Sequence, residues 1–75
     1  MPHIDVKCQP KHLSEQEFAD FVSDLNRLVQ THLKAADEYI SIAYTEIEPE
    51  DWQTVYDAEI KPNLDKLAKK PGYEM

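Results

Sequence analysis

Polar and apolar residues alternate from Pro2 to Gln9, with Ile4, Val6 and Cys8 on one side and His3, Asp5, Lys7 and Gln9 on the other. A period of two predicts a β-strand. After "QPKH" the period changes. Ser14 stands three residues before Glu17, the pattern of a capping box, and Leu13 and Phe18 flank it as a hydrophobic staple. Phe18, Phe21, Val22, Leu25, Leu28, Val29 and Leu33 then recur at helical spacing, while Glu15, Asp20, Ser23, Asp24, Arg27 and Gln30 fill the opposite side. "KAADE" closes this helix, and the β-branched and aromatic run from Tyr39 to Ile47 predicts a second strand.

Strand, long helix, strand is a βαβ unit, with parallel strands joined by a right-handed crossover. The remainder reads as helical. Pro49 suits a first helical position, and Trp52, Val55, Tyr56, Ile60, Leu64 and Leu67 form an apolar stripe. Pro62 predicts a kink, or two short helices meeting near Ile60 and Lys61. Lys66, Lys69 and Lys70 suit the negative end of that helix, and "KPGYEM" stops it. The expected fold class is therefore α+β, a single domain over residues 1–75. Two parallel strands backed by one helix leave both edges and one face open, so dimerisation is expected to complete the sheet.

Composition narrows the chemistry. A chain of 75 residues buries only about 60% of the surface its unfolded form exposes. Cys8 is the one cysteine, which excludes an internal disulfide, and His3, His12 and His32 match no common zinc spacing. No metal or cofactor is expected, and self-association is the stabiliser left. The net charge of −7, from 15 acidic and 8 basic residues, argues against nucleic acid, which is held by neutralising phosphates. No apolar run reaches the roughly 20 residues of a membrane span. With the lone thiol and no signal-peptide pattern, the expected setting is the cytoplasm. A single glycine, Gly72, excludes Gly-rich phosphate loops.

One residue has latent chemistry. Once Met1 is removed, Pro2 is a free secondary amine fixed at the start of a strand. An α-amino group has a reference pKa of about 7.7–8.0, and at about 7.7 roughly a sixth is neutral at pH 7. Desolvation disfavours the cation, and lowering the pKa by about one unit raises the neutral fraction to about two-thirds. Such an amine is a usable general base.

Taken together, "MPHIDVKC", the capped helix from "LSEQEF", "ISIA", "EPEDWQ" and "DAEIKP…KKPGY" resemble the tautomerase superfamily. The similarity is to its 4-oxalocrotonate tautomerase-like branch, and within that to the PptA-type bacterial tautomerases. The resemblance covers essentially the whole chain. It implies a β-α-β subunit, sites shaped by neighbouring subunits and a homodimer with a helical C-terminal segment. It also implies cofactor-independent keto–enol tautomerisation in which Pro2 shuttles the proton. The better-known members hold a dicarboxylate with an arginine after the first strand and another early in the second. Aligned without gaps, those positions are His12, beside Lys11, and Ser41, while the site aromatic falls on Trp52.

The bidentate grips are thus absent. A small enol or 2-keto monocarboxylate with an apolar tail is the expected substrate, in place of a dicarboxylate. Lys11 or His12 would steady an enolate, and Ser41 would donate a hydrogen bond. Each also has a plain structural reading: His12 and Lys11 as wet loop residues, Ser41 as a small packed residue, Trp52 as core. Two alternatives stay open, a Pro-dependent dehalogenase or hydratase, and an oligomeric module of this fold without catalysis.

Overall fold

The alternating segment forms strand β1, His3–Cys8, and the helical pattern forms α1, Glu15–Leu33, in a computed structural model that describes Met1–Met75. Ser14 opens α1 as expected. Its hydroxyl accepts the Glu17 N–H at 3.1 Å, and its own N–H donates to the Glu17 carboxylate at 2.9 Å. Two otherwise orphaned donors are satisfied at once. The Ser14 hydrogen bonds, backbone first, hold the Glu17 carboxyl below its ordinary pKa.

Ser14→Ala should therefore destabilise the protein by about 1 kcal/mol, a melting-temperature drop of about 4–8 °C for a domain this small. Thermal melts read by circular dichroism check it. Because the folded pKa of Glu17 lies below the unfolded one, its contribution is present above the unfolded value. It is lost as the pH falls through the folded one. The difference between the two proteins should accordingly narrow in acid.

Strand β2, Ser41–Glu46, pairs parallel with β1, from His3 opposite Ser41 to Cys8 opposite Glu46. The ladder is bounded by Ser41 N–H to the Pro2 carbonyl (3.2 Å) and Ile47 N–H to the Cys8 carbonyl (2.7 Å). Here the structure corrects the sequence: Tyr39 lies in a single 3-10 turn, Asp37–Tyr39, and not in the strand. Two things impose the turn. The ladder with β1 begins only at the Pro2 carbonyl and Ser41, and the Asp37 carboxylate is held by the Asn26 and Gln30 amides of α1 at 2.7 and 3.2 Å. Upstream, Lys34 ends α1 in the left-handed conformation (φ 53°).

Helix α1 covers the face carrying Ile4, Val6, Ile42 and Tyr44. Phe18 and Phe21 meet the Tyr44 ring edge-on, with centroids 4.9 and 6.1 Å apart. On the other face Lys7 bridges Asp5 (2.6 Å) to Glu59 (3.2 Å), so the C-terminal segment crosses there. Those two hydrogen-bonded carboxylates raise the Lys7 pKa, Asp5 more than Glu59.

The C-terminal segment is helical but irregular. A 3-10 turn, Pro49–Asp51, leads into a short helix α2, Trp52–Val55, then a π turn, Tyr56–Ile60, then 3-10 turns, Lys61–Lys66. Pro62 has no N–H to donate back to Ala58, and the pitch changes just before it, where the sequence places the break. The sharper bend is at Asn63 (φ −118°, ψ 16°), whose side-chain amide caps the Glu59 carbonyl at 3.0 Å. Leu67 is already extended, so Lys69 and Lys70 lie beyond the helical segment and do not line its last turn.

Only Val29 and Tyr56 are buried, while Leu28, Leu33 and Tyr39 are each more than half exposed. The accessible surface is 5917 Å², whereas a compact monomer of this mass exposes about 4,700 Å². The radius of gyration, 14.2 Å, likewise exceeds the roughly 11 Å expected for the length. The protomer is a slab of 36 × 31 × 18 Å with an open two-stranded sheet.

Candidate active site

Pro2 borders the largest of five clefts, about 730 Å³, which it shares with Met1, Leu33, Lys34, Ala35, Ala36 and Tyr39. Local folding explains the grouping. The first ladder bond ties the Pro2 carbonyl to Ser41, and the left-handed turn at Lys34 brings the end of α1 back over the start of β1. Ser41 stands beside Pro2 in the ladder, and its hydroxyl lies 2.6 Å from His3 Nδ1.

Lys11, His12 and Trp52 lie at the opposite end of the sheet. β1 has six residues at about 3.3 Å each, so the two ends are about 20 Å apart. Lys11 and Trp52 line a cleft of about 510 Å³ with Lys7, Cys8, Pro49 and Tyr73. The Trp52 indole N–H donates to the Tyr73 hydroxyl at 2.9 Å, and Tyr73 stacks at a tilt on buried Tyr56, 5.9 Å between centroids. His12 lines a neighbouring cleft with Phe18, Tyr44 and Glu46 and has a left-handed backbone (φ 54°).

A hydrogen-bonded chain joins this end. The Cys8 thiol donates to the Tyr44 hydroxyl (3.4 Å), which donates to Glu46 (2.9 Å), which also accepts the Lys11 backbone N–H (3.2 Å). The Cys8 hydrogen bond, partial loss of water and the Glu46 carboxylate all raise the Tyr44 pKa, keeping it a neutral donor. Glu46 thereby fixes the loop that carries Lys11 and His12.

One protomer thus unites Pro2 with Ser41, but not with Lys11, His12 or Trp52. Sequence reasoning missed Tyr39 and Lys34 as neighbours of Pro2. Tyr39 belongs to a strand-like run in the sequence, and only the pairing limit at Pro2 reveals the turn. In the sequence Tyr73 is merely part of the terminating "KPGYEM". No three His, Cys, Asp or Glu side chains converge as metal ligands. No helix is long and apolar enough to cross a membrane.

No family model matches the chain. It is similar along its whole length to proteins named tautomerase PptA from Shigella sonnei strain Ss046 and Escherichia coli strain SE11. Both are 49% identical over 75 residues, covering all of each relative.

Proposed function

The chain belongs to the PptA-type tautomerases, enzymes of the isomerase class, and from that premise we propose that Pro2 is its proton-transferring group. In this reading Met1 is removed and the Pro2 amine becomes free at the wall of its cleft. It takes the proton from the hydroxyl of a small enol as the C–O bond gains double-bond character. Its cationic form then returns a proton to the carbon two atoms away, giving the 2-keto acid. No cofactor takes part. The single observation that carries this is 49% identity over the full length to proteins named tautomerase, joined with the position of Pro2 on the largest cleft. Leu33, Ala35 and Ala36 beside it supply the apolar surroundings that favour a neutral amine.

The active unit is a homodimer of single-domain chains spanning residues 1–75. The surplus of about 1,200 Å² over a compact monomer exceeds the roughly 800 Å² that each partner buries in a standard interface. The residues about 20 Å from Pro2 fit the same picture. Lys11, His12 and Trp52 of one copy would reach the cleft of the other, where Lys11 or His12 steadies the oxyanion and Trp52 walls the apolar tail. Ser41 acts from beside its own Pro2. A cytoplasmic setting accords with Cys8 being a free thiol.

The test begins with the intact mass, which should lack Met1. The processed protein should speed the ultraviolet-monitored ketonisation of phenylenolpyruvate, and one alkyl group on its N-terminal amine should stop it. Full turnover by the alkylated protein would end the proposal.

A further inference from the structure

We propose that Lys34 is a substrate-binding residue that holds the substrate's carboxylate beside Pro2. This rests on the functional reading above and adds to it the residue that selects acids. An acidic substrate must enter a protein with a net charge of −7, so a local cation is needed to draw it in. Lys34 is the one ionised side chain lining the Pro2 cleft. It is also uncommitted. Lys7 is bound to Asp5 and Glu59, and Arg27 to Asp24, whereas Lys34 makes no ion pair or side-chain hydrogen bond. Asp37, the nearest acid along the chain, is already occupied by Asn26 and Gln30.

Backbone geometry does not call for lysine here. The left-handed end of α1 favours glycine or asparagine. A long cationic side chain at this turn lines the cleft and is within reach of a carboxylate there, while Leu33, Ala35, Ala36 and the half-exposed Tyr39 offer an apolar floor for a tail. The resulting site has one point charge and no bidentate fork. It therefore suits a single carboxylate on an apolar or aromatic body.

Cinnamate, which has the carboxylate and aromatic tail but no keto group, probes this site without turnover. In nuclear magnetic resonance titrations of the processed full chain, Lys34→Met should weaken cinnamate binding at least about tenfold, the effect of losing one charge-assisted hydrogen bond. Lys34→Arg should retain it. In turnover, Lys34→Met should raise KM for phenylenolpyruvate by a similar factor with little change in kcat, and leave kcat/KM for the methyl ester of that enol unaltered. Unchanged melting temperatures show that the variants fold.

Equal cinnamate affinity in the wild type and Lys34→Met, including no binding by either, overturns the proposal. So does an equal loss of kcat/KM on acid and ester. The Pro2 reading fails separately: undiminished turnover by Pro2→Ala removes the base, while the Lys34 effect on cinnamate would still stand.

Discussion

Pro2→Ala should lower kcat/KM for enol ketonisation by about 10²–10⁴, the range that a positioned general acid–base supplies, while the melting temperature stays put. The two halves of this result have separate causes. Pro2 precedes β1, and its link to the ladder is the carbonyl that accepts the Ser41 N–H. Alanine offers the same carbonyl, so the sheet has no reason to change. Alanine also leaves a terminal amine of similar intrinsic basicity, but one without the ring, so its lone pair is no longer aimed. The loss is thus one of direction. In the wild type, kcat/KM should rise with pH through the amine's own titration and level off once it is neutral, because the cation cannot accept a proton. Steady-state assays at several pH values, with an N-terminal amine pKa from nuclear magnetic resonance, check both points. A Pro2→Ala rate within threefold of wild type would remove proline from the mechanism.

The helix α1 and both strands were legible because their signals are local. A capping box spans four residues, and alternation needs only six or seven. The ladder explains where legibility stopped. Tyr39 and Ile40 have strand-like side chains, but a strand needs a partner, and the ladder with β1 begins only at the Pro2 carbonyl and Ser41. Asp37 then settles the matter through two amides of α1, eleven and seven residues upstream. The C-terminal segment is legible as helical with a break near Ile60 and Lys61, but the type of each turn is not, for a related reason. Pro62 announces a break, but whether the chain answers with a kink, a π turn or 3-10 turns depends on side chains such as Asn63 capping Glu59.

The candidate site divides in the same way. Pro2 is legible as a chemical type, and Trp52 as the position on which the family's site aromatic falls, but its place at the far end of the sheet is not. Lys34 was not, because its meaning comes from the left-handed turn that folds the end of α1 over β1. Linear spacing carries no trace of that return. Nor does it show that Lys11 and His12 sit about 20 Å from Pro2, a separation that makes a second copy of the chain part of the proposed chemistry.

Tyr56→Ala should be the most damaging core substitution, because this ring organises the whole C-terminal segment. Tyr56 is 3% exposed, begins the π turn, and packs against Tyr73, which in turn accepts the Trp52 indole N–H. Removing a buried aromatic ring costs about 3–5 kcal/mol. A 75-residue domain has about 4–11 kcal/mol in total, and with Val29 as the only other buried residue this one belongs near the lower end. The variant should therefore be largely unfolded at micromolar concentration, whereas Tyr56→Phe, which keeps the ring, should melt close to wild type. Association modifies the outcome in a defined direction. If the proposed dimer contributes to stability, raising the protein concentration favours the folded state by mass action, so the melting temperature should climb with concentration. Sedimentation of the wild type should then give twice the 8.7 kDa chain mass. A Tyr56→Ala protein that melts within a few degrees of wild type would show instead that the C-terminal segment is held from elsewhere, most directly by the Lys7–Glu59 bridge across the sheet.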